Sequence, residues 1–298
     1  MGKKLKFRHV DVFAEKPFGG NQLAVFLEAK GLKKQQMQSI AREMNFSETT
    51  FLLPAKGKDL HAHIRIFTPF EEIPFAGHPV IGSAFVLCEQ MNKKRKNKVK
   101  ELFLGVGSGK VRVGVEYPGG KKPYFTMYQP IPKFGVALQD RGQAASAVTL
   151  DKNDVVGGGV VSNGLSFLIV EVISNDSVKQ AQLNIDIAKR VIERYGVSGI
   201  YLFSRYERGR FDIHSRFFAP TLGVYEDPAT GSASGAVGAY LSRILKFPME
   251  LKIRIEQGVE IARPSEIDVY VRCERGVISE VSVSGHVIPV AEGVIELQ

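Results

Sequence analysis

The chain has 298 residues, enough for two domains at roughly 100–200 residues each, and 44% of them are hydrophobic, which supports sizeable cores. Its longest apolar stretch, Val80–Cys88, is interrupted by Gly82 and Ser83 and falls far short of the roughly 18 residues that a membrane-spanning helix needs, so no such helix is predicted. The net charge of +9 comes from 40 basic and 31 acidic residues, with six of the basic ones in the run Lys93, Lys94, Arg95, Lys96, Lys98 and Lys100; lacking interleaved aromatics, that run reads as a solvated linker rather than a nucleic-acid patch.

A basic N-terminus leads straight into a strand pattern, Phe7–Phe13, and not into an apolar signal core, so a cytosolic protein is expected. Leu23–Phe26 is a second strand pattern. Lys33–Met44 follows as an amphipathic helix, with Met37, Ile40, Ala41 and Met44 at i, i+3, i+4, i+7 spacing. Thr50–Leu53 and His61–Phe67 alternate as strands, and Pro79–Gln90 reads as a helix buried on all sides. Beyond the basic run come strands at Val111–Tyr117, Gly164–Ile173, Gly199–Phe203 and Ile213–Phe218, with an amphipathic helix, Ile187–Tyr195, before the last two. Ala233–Leu245 is a second buried helix, and strands at Leu251–Ile255, Asp268–Arg272 and Ile278–His286 complete the pattern.

The two halves resemble each other. Gln36–Leu52 aligns with Ile187–Phe203, and Arg65-Ile-Phe-Thr-Pro69 with Arg216-Phe-Phe-Ala-Pro220, both at an offset of 151 (187 − 36; 216 − 65). Ala76-Gly-His-Pro79 then aligns with Thr230-Gly-Ser-Ala233 at 154. A constant offset over ordered segments indicates a duplicated domain, and ligands commonly bind between such domains.

Each buried helix is preceded by a turn rich in chemistry. Gly77 or His78 is the expected cap of the first, with Pro79 in its first turn, and Thr230 to Ser232 supply the cap of the second. Helix N-termini present unpaired N–H groups and a positive dipole end, so the pair suits a carboxylate, with His78 and Ser232 as added donors. Ordinary capping of two helices explains the same pattern equally well. Glu48 opens a buried strand, and its counterpart in the second half is Gly199 (199 − 48 = 151), so shared architecture does not account for its carboxylate. Proton abstraction beside a carbonyl is one role for it; an exposed loop acid or a capping partner is the other. Asp227, before a proline at the second helix start, divides in the same way between a site acid and a turn former.

Other motifs fail. Gly105-Val-Gly-Ser-Gly-Lys110 lacks the flanking residues of a phosphate loop and reads as a hairpin turn. Gly231-Ser-Ala-Ser-Gly235 is not a nucleophile elbow, which disfavours a serine hydrolase. His61 and His63 share a strand face but have no cysteine or acid at metal-ligand spacing. Cys88 and Cys273 give neither a disulfide framework nor a metal spacing.

Taken in order, Asp11-Val-Phe, Phe18-Gly-Gly-Asn21, Met37-Gln, Asn45-Phe-Ser-Glu-Thr, Arg65-Ile-Phe-Thr-Pro69, Pro74-Phe-Ala-Gly-His-Pro79 with Gly82-Ser-Ala84, Glu226-Asp-Pro-Ala-Thr-Gly-Ser-Ala233, Gln257-Gly and Arg263-Pro-Ser265 resemble the PhzF-like family over nearly the whole chain. The resemblance implies an α+β fold of two pseudo-symmetric diaminopimelate-epimerase-like domains, each a β-barrel-like sheet around a central helix, with the active site between them. It implies an N-terminal domain over 1–120, to which the last strand at about 287–298 returns, and a C-terminal domain over 121–286. It also implies a homodimer and a cofactor-independent isomerase acting on a small carboxylate-bearing substrate. Glu48 is then the acid/base residue; His78, Asp227 and Ser232 line the site, and the Gly77 and Gly231 backbones hold the substrate carboxylate. Related racemases place a cysteine on each side of the substrate, where this chain has Ala76 and Thr230, so a two-thiol mechanism is excluded. The alternative reading is a non-catalytic small-carboxylate-binding protein; no nucleic-acid or membrane partner is expected.

Overall fold

The computed structural model describes residues 3–93, 98–120 and 122–297; positions 94–97 of the basic run therefore lie outside the described residues. The chain forms two compact units, Met1–Tyr128 with Ser284–Gln298, and Gln129–Val283.

In the first unit, β1 (Lys3–Val12), β2 (Asn21–Phe26), α1 (Lys34–Met44), β3 (Glu48–Leu53), β4 (Ala62–Phe67), a two-residue β5 (Glu72–Ile73), α2 (Gly77–Asn92), β6 (Glu101–Val106), β7 (Gly109–Glu116) and β8 (Tyr124–Gln129) follow in order. β1 runs antiparallel to β2, β2 parallel to β3, β3 antiparallel to β4, β4 parallel to β6, and β6 and β7 antiparallel to their successors. The sheet is closed by the last strand of the chain, which pairs with both β8 and β1, from Lys3↔Leu297 to Val12↔Val287. Alternation explains which side faces in: in β7, Val111, Val113 and Val115 are buried while Lys110, Arg112 and Glu116 are exposed. α2 contacts β1, β2, β3, β4, β6 and β7, so it fills the barrel, and its sequence GHPVIGSAFVLCEQMN has almost no polar face to offer water. α1, by contrast, packs outside, with Met37, Ile40 and Ala41 against Ala24, Phe26, Phe51 and Phe67.

The second unit repeats this order. It contains β9 (Lys133–Ala137), α3 (Arg141–Ala147), β10 (Val155–Ser162), β11 (Ser166–Val172), α4 (Asn175–Gln180), α5 (Ile185–Tyr195), β12 (Gly199–Arg205), β13 (Ile213–Ala219), β14 (Val224–Asp227), α6 (Gly231–Ile244), β15 (Glu250–Gln257), β16 (Ser265–Glu274) and the start of β17 (Val277–Leu297), whose later residues close the first unit. β10 is antiparallel to β11, β11 parallel to β12, β12 antiparallel to β13, β13 parallel to β15, and β15 antiparallel to β16. The registers match at the expected offset. Thr49↔Phe67 corresponds to Ile200↔Phe218 (200 − 49 = 218 − 67 = 151), and Ala62↔Leu104 to Ile213↔Ile255. The second barrel also surrounds a helix of small and apolar residues, α6. α5 covers its outside, with Ala188, Val191 and Ile192 on Leu168, Val170, Leu202 and Phe218.

The sequence reading located the strands and helices that carry the repeat. It did not locate β5, β6, β8, β9, β10, β14, α3 or α4. The Gly105–Lys110 stretch is the expected hairpin, joining β6 to β7.

Candidate active site

Glu48 is positioned by the end of α1. Asn45 sits beyond the last turn at φ 51°, a left-handed conformation that asparagine tolerates, and its N–H closes onto Ala41. The chain then enters β3 with Glu48 as its first residue, opposite Leu23 of β2. The Glu48 side chain is only 15% exposed. Its Oε2 lies 3.3 Å from Nε2 of His78, which projects from the first turn of α2.

His78 is buried, and burial pushes its pKa down to about 3 against the opposing effect of a bond from the ring to the Gln22 backbone. The imidazole is therefore neutral at ordinary pH. Nε2 makes no hydrogen bond of good geometry, so the Gln22 bond is made by Nδ1.

The second unit places a different polar cluster at the start of its central helix. Thr230 Oγ1 donates to Asp227 Oδ2 at 2.5 Å, and the Thr230 N–H donates to Gln257 Oε1 at 3.1 Å. Gln257 Nε2 bridges the Asp227 carbonyl at 2.8 Å and Thr230 Oγ1 at 3.0 Å. Asp227 is thereby fixed in a buried setting. One turn on, Gln129 Nε2 donates to the Gly231 carbonyl, while Asn163 Nδ2 donates to Gln129 Oε1 and to the Ser232 carbonyl. These bonds immobilise the backbone of Gly231 and Ser232.

The cap expectations need correcting. Ala76, not Gly77 or His78, occupies the N-cap of α2, so Gly77 and His78 are the first two helical residues. Thr230 is the N-cap of α6, but its hydroxyl is turned to Asp227 and does not cap. Neither central helix has a side-chain cap, whereas α3, α4 and α5 are capped by Asp140, Ser174 and Asn184. Uncapped N-termini keep N–H groups for an anion.

Glu48 and His78 thus belong together in the first unit, and Asp227, Gly231 and Ser232 in the second. Sequence reasoning missed the supporting roles of Gln129, Asn163 and Gln257. Gln257 alone had a signal, standing in a recognisable Gln-Gly pair; its counterpart in the first half is Val106 (257 − 106 = 151). His61, considered as a metal ligand, instead accepts the Phe103 N–H at Nδ1.

A family model described as phenazine biosynthesis-like protein matches residues 10–293. The chain is 37% identical over 286 residues to the trans-2,3-dihydro-3-hydroxyanthranilate isomerase of Pseudomonas aeruginosa, spanning 95% of this chain and 96% of that one. A solved phenazine biosynthesis protein of the PhzF family from Bacillus anthracis matches with a TM-score of 0.88 at 26% identity, covering 98% of this chain and 99% of that one. A hydroxyproline epimerase from Agrobacterium vitis, 13% identical, shares the fold with a TM-score of 0.68 over 99% and 92% of the two chains. The fold is thus the pseudo-symmetric, diaminopimelate-epimerase-like one implied by the sequence.

Proposed function

The chain belongs to the phenazine biosynthesis-like family, and from that premise we propose that Glu48 is the group that moves the proton in its reaction. The protein is an isomerase of the PhzF type and acts on a small molecule. The observation that carries the assignment is the 3.3 Å approach of a neutral, buried His78 to the Glu48 carboxyl. With its N–H on the Gln22 side, the ring turns the Nε2 lone pair toward Glu48. A protonated Glu48 can donate its O–H to that lone pair, so the site accommodates the state that exists between taking a proton and returning it. Glu48 removes a proton from one carbon, the substrate's double bond shifts, and the same carboxyl returns the proton to a second carbon a few ångströms away.

In this reading the backbone N–H groups at Gly77 and at Gly231 are carboxylate-binding, each at the start of a helix that carries no side-chain cap. His78 and Ser232 add contacts, and Asp227, fixed by Thr230 and Gln257, orients an amino or hydroxyl group. The substrate class is a cyclic, unsaturated amino-carboxylate, after the dihydro-hydroxyanthranilate in the name of the Pseudomonas relative. The test is a proton NMR assay in deuterated water, with trans-2,3-dihydro-3-hydroxyanthranilate and a panel of cyclic unsaturated amino acids. Conversion of a substrate by wild-type protein, and not by Glu48→Gln, supports the reading, and deuterium content at the second carbon reports how far the carried proton exchanges with solvent. Equal conversion by both proteins overturns it, and binding without conversion identifies a carboxylate-binding protein instead.

A further inference from the structure

Both units carry an arginine–glutamate pair at the same place. Arg65 holds Glu72 through Nε and Nη2 at 2.6 and 2.7 Å, with its guanidinium 5.1 Å from the Phe67 ring. Arg216 holds Glu226 at 2.9 and 2.6 Å, again 5.1 Å from a ring, that of Phe218. The surroundings then diverge. In the second unit Arg216 Nη1 donates to two carbonyl oxygens, Val178 at 3.2 Å and Ala181 at 2.5 Å, at the end of α4. The neighbouring His214 is held between Glu256 at 2.9 Å and Glu260 at 2.7 Å.

The first unit has none of these acceptors. The link from β2 to α1 (27–33) contains no helix, whereas the corresponding link (173–184) contains α4. Strand register makes His63 the counterpart of His214 and Gly105 the counterpart of Glu256, and Gly109 stands 151 before Glu260. Arg65 Nη1 consequently has no protein acceptor among the described residues. In place of the helix and the acids there is a cavity of about 500 Å³, lined by Lys56, His63, Arg65, Leu53, Ile73 and Pro74 among others. That volume lies in the range of small-molecule pockets. Glu72 is the only acid on its wall among the described residues, and it is already engaged by Arg65 and by Lys34 at 3.2 Å. Burial, with the positive charges of Lys56 and Arg65 adding to it, keeps His63 below its ordinary pKa.

We propose that this cavity binds a small carboxylate with an apolar body, its carboxylate taking the Nη1 edge of Arg65 that two carbonyl oxygens occupy on Arg216. Lys56 and His63 flank the anion, and Leu53, Ile73 and Pro74 form the apolar wall. This site is distinct from that of Glu48 and does not depend on the isomerase reading.

Benzoate is the test ligand, titrated into the full-length protein while the imidazole resonances of His63, assigned with His63→Gln, are followed by NMR and affinity is measured by calorimetry. Saturable binding that shifts the His63 signals and survives in Glu48→Gln is expected. Lys56 is exposed, so Lys56→Glu should leave the fold intact while weakening benzoate about tenfold. Benzyl alcohol, lacking the charge, and inorganic phosphate, lacking the apolar body, should each bind at least tenfold more weakly. Benzoate that leaves the His63 signals unmoved, or an affinity unchanged by Lys56→Glu, overturns the proposal. Phosphate binding as tightly as benzoate overturns the assigned ligand class.

Discussion

His78 faces Glu48 across 3.3 Å as a neutral ring, its nitrogen-bound proton committed to the Gln22 backbone on the other side. A charged imidazolium there would hold Glu48 ionised; the neutral ring is what the proposed proton shuttle requires. Glu48→Gln keeps the shape and removes the exchangeable acid, so turnover should fall about 10²–10⁴-fold, the usual contribution of a positioned acid/base group. Affinity for a substrate analogue should change far less. Steady-state kinetics and calorimetry on the same variant check both, and a turnover near wild type would transfer the proton step to another residue.

The protein's two most buried histidines should behave oppositely with pH. His78 has its folded pKa lowered from 6.5 to about 3, so its contribution to stability is complete above about pH 6.5 and is lost as pH falls toward 3. For His214, burial lowers the pKa but Glu256 and Glu260 outweigh it and raise the value to about 9. Its contribution is complete below about pH 6.5 and is lost as pH rises through about 9, by an amount on the order of a few kcal/mol. Denaturant unfolding from pH 5 to 10 should show declining stability on the alkaline side, and His214→Gln should flatten that decline. A ring titration of His78 with a midpoint near 6.5 would contradict its burial.

The paired arginines offer an internal control. Arg216 and Glu226 side chains are 9% and 11% exposed, against 24% and 23% for Arg65 and Glu72. Removing one partner of a buried pair strands the other, typically at a cost of about 3–5 kcal/mol, and exposed pairs contribute about 0–1, with the half-buried Arg65–Glu72 pair between these limits. Glu226→Gln should therefore destabilise the protein substantially more than Glu72→Gln. Equal unfolding midpoints for the two variants would contradict this ordering.

Gly235 lies on the face of α6 against Gln129, and a methyl group there would collide with the Gln129 amide. Gly235→Ala should displace that amide, break its bonds to Gly231 and Asn163, and cost about 1–3 kcal/mol as overpacking. Under the proposal that the Gly231 backbone binds the substrate carboxylate, analogue affinity should fall as well. Thermal unfolding and calorimetry on this variant separate the two effects.

The sequence exposed the duplication because burial constrains both copies alike: Arg65 and Arg216 and the paired registers of β3–β4 and β12–β13 keep an offset of 151, and Gly77 and Gly231 follow in the same order at 154. Glu48 stood out by its absence from the other copy. β10 was hidden because Val155-Val-Gly-Gly-Gly-Val-Val-Ser162 reads as a loop; yet a side chain at Gly158 would collide with the Ile169 carbonyl of the adjoining strand, so glycine is demanded by close pairing and not by a turn. Gln129 and Asn163 were invisible because their partners are backbone atoms of α6, distant in sequence and without a motif.

The closing strand has a consequence for how the molecule is made. The barrel around α2 is completed only by residues 284–297, which pair with β1 and β8, whereas residues 129–283 form a unit contiguous in sequence. On the ribosome the first 128 residues emerge early and then wait, with the edges of β1 and β8 unpaired, until residues 284–297 have been translated. Open strand edges on a nascent chain invite pairing with neighbouring chains. The second unit can therefore fold first although it is synthesised second, and the interval before β17 arrives is the period of greatest exposure to aggregation and of greatest use for a chaperone.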